Sequence, residues 1–189
     1  MKNLITLFLA LLVSIVSMAQ TWSLDKGHSK IGFTVTHHMI SEVDGYFKIF
    51  NAKLTSSKDD FTDAVFELTA ETNTINSENE MRDKDLRSPG FFDVEKFTTL
   101  SFKSTAFKKA SEGKYTLTGD LTIRGITKSI NMEVVLVGPQ PHPRTKKPAI
   151  GIKATCTINR KDFEVGANLP ELMVSNEVQL RATGEFNKD

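Results

Sequence analysis

Strict alternation of apolar and polar residues constrains this chain more than any other feature. Between residues 115 and 124, Tyr115, Leu117, Gly119, Leu121 and Ile123 take one side, and Thr116, Thr118, Asp120, Thr122 and Arg124 the other. Successive side chains of a β-strand point to opposite faces, so a period of two marks a strand with one buried face. The same pattern recurs along the chain. Ile31, Phe33, Val35 and His37 share a face, then Gly45, Phe47 and Ile49 after a turn. The phase slips there, because Phe50, Ala52 and Leu54 look equally inward, and a β-bulge near Ile49 reconciles the two. Further faces are Ala64, Phe66, Leu68 and Ala70; Leu100 and Phe102; Ile130, Met132, Val134 and Leu136; Ile150, Ile152, Ala154, Cys156 and Ile158; and Val174, Asn176, Val178, Leu180 and Ala182. Eight strands result.

A turn at residues 125–127 joins the fifth strand to the sixth. The longest loop spans residues 138–148, where four prolines argue against regular pairing. One helix interrupts the strands. Ser77-Glu78-Asn79-Glu80 reads as a capping box, with Ser77 at the N-cap. Arg82 and Asp83 then read as a salt-linked surface of the helix, with Arg82 able to place a polar headgroup as the alternative. Pro89-Gly90 ends it. Eight one-faced strands need a partner for every apolar face. Two sheets stack as a sandwich, or one sheet closes into a barrel and removes its own edges. Periodicity does not choose.

The N-terminus points to export. Lys2 precedes a run of thirteen largely apolar residues, 4–16, followed by Ser17-Met18-Ala19. A cation, a short apolar block and small residues at −3 and −1 make a secretory signal peptide over residues 1–19, cut before Gln20. The run falls short of the roughly 20 apolar residues that span a bilayer, so no stable membrane insertion is expected. The remaining chain, residues 20–189, has the length of one domain. Its destination would be the periplasm or the extracellular medium.

Charge narrows the partners. The chain carries 24 cationic and 23 acidic side chains, and loss of Lys2 with the leader leaves the two equal. No field gathers nucleic acid, so none is expected as a partner. Cys156 is the single cysteine, which rules out an internal disulfide. Its place on an apolar face reads as an inert buried thiol. His37 and His38 are neighbours on a strand and should face opposite ways. His28 sits near a turn and His142 in the proline-rich loop, with no ligand spacing and no patterned carboxylates, so no metal and no cofactor are expected. Neither a nucleophile elbow nor a phosphate loop is present. His37 faces inward, as a buried histidine at the barrel end or as a contact for a ligand headgroup. Asn176 is an inward polar residue expected to be satisfied by backbone. The Phe91-Phe92 pair reads as a core plug, with a ligand gate as the alternative.

Four stretches together resemble the YceI family of lipid-binding proteins. They are Trp22-Ser-Leu-Asp25 with residues 27–37 and the 43–47 turn entry, residues 81–93 from Met81 to Phe91-Phe92-Asp93, residues 119–128, and residues 158–163. Two positions depart from the family's pattern. Asp85 stands where histidine is frequent, and Glu164 where glycine is usual. The resemblance implies an all-β fold, an extended eight-stranded antiparallel lipocalin-like barrel with one short α-helix packed beside it. It implies an amphipathic lipid ligand, such as a polyisoprenoid, an isoprenoid quinone or a fatty-acid derivative, held in an apolar cavity for carriage, storage or sequestration rather than for catalysis. On the inward faces, Phe33, Val35, His37, Phe47, Phe66, Leu68, Phe102, Leu117, Ile123, Met132, Val134 and Ile152 are the expected lipid-binding residues, and the small Gly119, Ala154, Cys156 and Ala182 leave room for a chain. Two alternatives stay open: an enzyme acting on a lipid-like substrate through His37 and Asn176, and a filled barrel serving as an interaction module. Oligomeric state is not legible.

Overall fold

The computed structural model describes residues 19–189; the expected leader, apart from Ala19, lies outside the described residues. The strands are β1 (Gln20–His37), β2 (Ser41–Phe47), β3 (Phe50–Ser56), β4 (Val65–Glu71), β5 (Ile75–Asn76), β6 (Thr99–Ser111), β7 (Lys114–Ile123), β8 (Ile126–Pro141), β9 (Pro148–Asn159) and β10 (Val174–Lys188), with one helix, α1 (Glu80–Arg87). All pairings are antiparallel, and β10 pairs with β1 to close the sheet into a barrel. Closure is the answer to the choice periodicity left open.

The barrel has eight staves because β2 and β3 together form one of them. β2 pairs with the second half of β1, from Gly32↔Tyr46 to His37↔Ser41, while β3 pairs with its first residues, Gln20↔Ser56 to Ser23↔Lys53. Between them Lys48 and Ile49 leave the strand, so the expected bulge is a full break, and Ile49 is exposed rather than inward. The break lets Phe47 and Phe50 both turn toward the interior. It also parts the wall. β3 continues the sheet to β4, but β2 pairs on its outer edge with the two-residue β5. The chain between β4 and β6, including α1, occupies that end of the barrel.

Two features of the sequence reading change. The prolines near residue 140 do not prevent pairing: after an irregularity at Gly138-Pro139 the ladder resumes with Gln140↔Ala149 and Pro141↔Pro148. An irregular position and a strand end are where a missing N–H is tolerated, so the loop shrinks to residues 142–147. The helix cap is Asn79, whose side chain accepts the backbone N–H of Arg82 at 3.0 Å, not Ser77. Ser77 instead donates its backbone N–H and hydroxyl to Asp83 Oδ1. Asp83 is therefore buried, and Arg87 bonds the carbonyls of Asn73 and Ile75, so the salt-linked helix surface is not formed.

Away from α1 the barrel is solid. Trp22 meets Phe61 at a centroid distance of 5.5 Å, Phe66 meets Phe107 at 5.1 Å, and Phe107 stacks on Tyr115 at 4.4 Å. Leu54, Val134, Leu136 and Ile150 complete this core. Each such side chain contributes roughly 1.5–3 kcal/mol when withdrawn from water. The Tyr115 hydroxyl is not stranded, since it donates to the Asp60 carbonyl at 3.1 Å. That end is a plug.

Candidate ligand cavity

Between the plug and α1 lies an apolar cavity of about 510 Å³. Its volume falls within the ~300–1,000 Å³ typical of small-molecule sites. Alternation on each stave supplies the wall. Phe33, Val35 and His37 come from β1, Phe47 from β2, Phe66 and Leu68 from β4, Phe102 from β6, Leu117 and Ile123 from β7, Met132 from β8 and Ile152 from β9. Val134 is not among them. One inward step further along β8, opposite Tyr115, it is buried in the plug. Of the small residues, Ala154 and Ala182 do border the cavity, but Cys156 does not. Gly119 creates no space: a Cβ there would lie 2.4 Å from the Phe102 ring, so the ring has taken the room. Gly45 serves Phe33 in the same way, at 2.3 Å.

Sequence reasoning set the helix beside the barrel and gave Arg82 a ligand role only as the alternative; the structure makes the helix a lid. Met81, Arg82, Asp85 and Leu86 of α1, with Phe91 and Phe92 after it, border the cavity. Phe92 meets Phe47 edge-on at 5.7 Å, so the Phe91-Phe92 pair is both plug and wall. Arg82 is held for this position, its Nε donating to Ser77 Oγ at 2.8 Å and its Nη2 to Ser77 O at 2.7 Å. Through Ser77 the guanidinium is linked to the buried Asp83 carboxylate.

A second arginine, given no role in the sequence reading, borders the same cavity. Arg160, buried beside the cavity, donates to the carbonyls of Ser175, Val165, Gly166, Leu169 and Val174 and to Asn176 Oδ1. Burial lowers its pKa, and nearby Glu171 opposes that. The side chain organises the whole segment between β9 and β10. Asn176 is satisfied by this arginine rather than by backbone, and it does not border the cavity, so the polar pair His37–Asn176 is not assembled. Glu164 takes a left-handed φ of 57°, which explains why glycine suits that position.

The histidines also differ from expectation. β1 ends at His37, and His38 turns into a left-handed φ of 50°, so their rings meet edge-on at 4.0 Å instead of facing apart. His28 is brought to Asp25 by the β1 bulge, with Nδ1 3.1 Å from Oδ2, and Glu185 joins them across the β1–β10 ladder. Asp25 holds the imidazole above its ordinary pKa and is itself lowered. This trio does not border the cavity. Burial pushes the Cys156 thiol up to about 11, away from thiolate chemistry.

A closed eight-stranded barrel with an apolar interior chamber defines a binding-type architecture. The chain belongs to the YceI-like domain family, whose sequence profile matches residues 22–186. A UPF0312 protein of Staphylococcus aureus strain COL is 32% identical over 170 residues, covering 88% of this chain and 96% of the relative. Among solved structures, the YCEI protein of Campylobacter jejuni is 27% identical with a TM-score of 0.72, over 88% of this chain and 96% of that one. BcnA of Burkholderia cenocepacia shares the fold at 21% identity and a TM-score of 0.77, over 86% and 98%. A polyisoprenoid-binding domain from Saccharophagus degradans shares it at 12% identity and 0.66, over 89% and 98%. Among the described residues no helix is long and apolar enough to cross a membrane.

Proposed function

We propose that this protein binds one amphipathic lipid, a polyisoprenoid, an isoprenoid quinone or a fatty-acid derivative, and carries, stores or sequesters it without chemistry. The apolar chamber between the plug and α1 carries this reading. A hydrocarbon chain burying ~400 Å² there would gain roughly 10 kcal/mol at ~25 cal/mol per Å², before ordering costs. Selection by such a wall is by length and girth, and the Saccharophagus degradans likeness supports an isoprenoid among the candidates. Export to the periplasm or the medium is part of the proposal, supported by Lys2, the apolar run 4–16 and Ser17-Met18-Ala19.

Native mass spectrometry of protein purified after expression of the full chain tests both parts. The expected result is a polypeptide beginning at Gln20 with one additional lipid mass, lost on denaturation. A bare polypeptide that takes up no added isoprenoid or fatty-acid derivative would overturn the binding claim; retention of residues 4–16 would overturn export.

A further inference from the structure

A few polar side chains interrupt the apolar cavity wall, and they differ in what they have left to offer. Glu67 is paired with Lys103 at 2.8 Å. Asn79 gives its side-chain oxygen to the N–H of Arg82 as the helix cap. Arg160 donates from Nε, Nη1 and Nη2 to five carbonyls and to Asn176 Oδ1, so its whole fork is engaged. Arg82 differs. A guanidinium carries five N–H donors in a planar fork, and Ser77 takes one from Nε and one from Nη2. Among the described residues Nη1 has no acceptor.

Arg82 is not a loose surface cation. Both of its side-chain bonds go to Ser77, which is 5% exposed and itself borders the cavity. Ser77 is fixed in turn by the buried Asp83 carboxylate, which accepts its backbone N–H at 2.7 Å and its hydroxyl. One edge of the fork is held and the other is left free beside the cavity. A cationic donor next to an apolar chamber gains more from an oxygen acceptor than it would in water, because hydrogen bonds strengthen as solvent is withdrawn. Asp83 behind Ser77, and the exposed Asp85 that also borders the cavity, offset the charge of Arg82, so the free edge offers donors more than net positive charge. The inward positions nearest the plug, Leu24, Phe66, Leu117 and Ile152, are apolar.

We propose that the free edge of Arg82 anchors the polar head of the cavity's lipid. The ligand then carries an oxygen acceptor, as a carbonyl, carboxylate or phosphate does, and lies with its head at α1 and its chain toward the plug. This anchor rests on the lipid-binding reading and adds to it an orientation and a head chemistry, which an apolar wall alone does not select.

Orientation is read in the unsubstituted protein. Trp22, the single tryptophan of the chain, lies in the plug against Phe61, one inward step along β1 from Leu24 at the cavity wall. Octadecanoic acids dibrominated either near the carboxyl group or near the methyl end are added to the full chain, bromine being a contact quencher of tryptophan emission. With the head at α1, the acid brominated near its methyl end quenches Trp22 more strongly. Displacement of that acid then gives affinities for three compounds of the same chain length: octadecane, octadecanamide and octadecyl phosphate. Arg82→Met keeps an apolar stem and removes the donors, so it weakens the amide, the phosphate or both by about tenfold or more and leaves octadecane unchanged. Which of the two loses affinity tells a neutral head from a charged one. Arg82→Lys keeps the charge without the fork and recovers only part of the loss. Equal loss for all three compounds would make Arg82 structural alone; that result, unchanged affinity for both headed compounds, or equal or stronger quenching from bromine near the carboxyl group would each overturn the anchor and leave lipid binding standing. No quenching by either acid would remove lipid binding, and the anchor with it.

Discussion

The plugged and hollow ends of this barrel are built from the same staves, with the same alternation, yet only one leaves space. On β7, Tyr115 belongs to the plug while Leu121 and Ile123 border the cavity; on β8, Val134 belongs to the plug and Met132 to the cavity wall. Two differences separate the ends. At the plug, Trp22, Phe61, Phe107 and Tyr115 converge from four parts of the chain, and aromatic side chains bury 150–250 Å² each. At the α1 end β1 and β10 contribute smaller inward groups, Val35, Val174 and Ala182. There, too, the second stave breaks at Lys48-Ile49, so β2 departs from β4 and the wall is completed by the two-residue β5 and by α1. An eight-stranded sheet either fills or holds one ligand. This barrel does one at each end.

The sharpest way to break that comparison is a cavity in the plug. Leu54, fully buried between Trp22 and Phe66 on neighbouring strands, has no room to be replaced by collapse. Leu54→Ala should cost about 2–5 kcal/mol in denaturant unfolding while bound lipid is retained. Loss of lipid with little change in stability would mean that the plug is part of the site. The converse substitution is Met132→Trp, at the cavity wall. In a packed interior the added bulk would cost about 1–3 kcal/mol. Here it should fill space, cost less than about 1 kcal/mol and weaken lipid retention by about tenfold through lost apolar contact. Marked destabilisation with unchanged lipid would show that the hollow end is closed to ligand at this position.

The two ends were not equally legible. Alternation told which side of a strand each residue takes, and the barrel follows from that; depth along the barrel axis has no periodicity. Val134 and Met132 are therefore indistinguishable in the sequence, and only the Tyr115↔Val134 register separates them. The break at Lys48-Ile49 left a trace as a slip of phase, but its consequence, a wall completed by β5 and α1, depends on pairing partners far apart in the chain. Arg160 lies in the 158–163 stretch of the resemblance, yet its role was not legible. Its five backbone acceptors lie in residues 165–175, folded around it by contacts that no local pattern encodes. Ser77 misled for a related reason: a capping motif competes with any buried carboxylate the fold brings near, and Asp83 won.

Acid should distinguish the ends more gently than either substitution. The loop that carries Phe61 into the plug is closed by Asp63, whose carboxylate accepts from Ser56 Oγ at 2.6 Å, Ser57 N at 2.9 Å and Lys58 N at 3.2 Å, and from the Ser57 hydroxyl. Desolvation opposes ionisation there, but these donors together outweigh it and hold the carboxyl well below the usual aspartate range. A pKa lowered in the folded state means that the folded protein binds this proton less readily than the unfolded chain. The stabilisation is therefore fully present above the ordinary aspartate value of 3.8 and is lost as pH falls below it. Hydrogen exchange across residues 57–63 should speed up as pH falls from about 5 toward 2, after correction for intrinsic rates, before amides of β9 and β10 beside the cavity respond. Asp63→Asn keeps the shape but removes the charge, so it should lower the melting midpoint slightly at neutral pH and flatten this acid dependence. An acid response that appears first beside the cavity, or that survives in Asp63→Asn, would place the titrating group elsewhere and remove the plug loop from the account of acid stability.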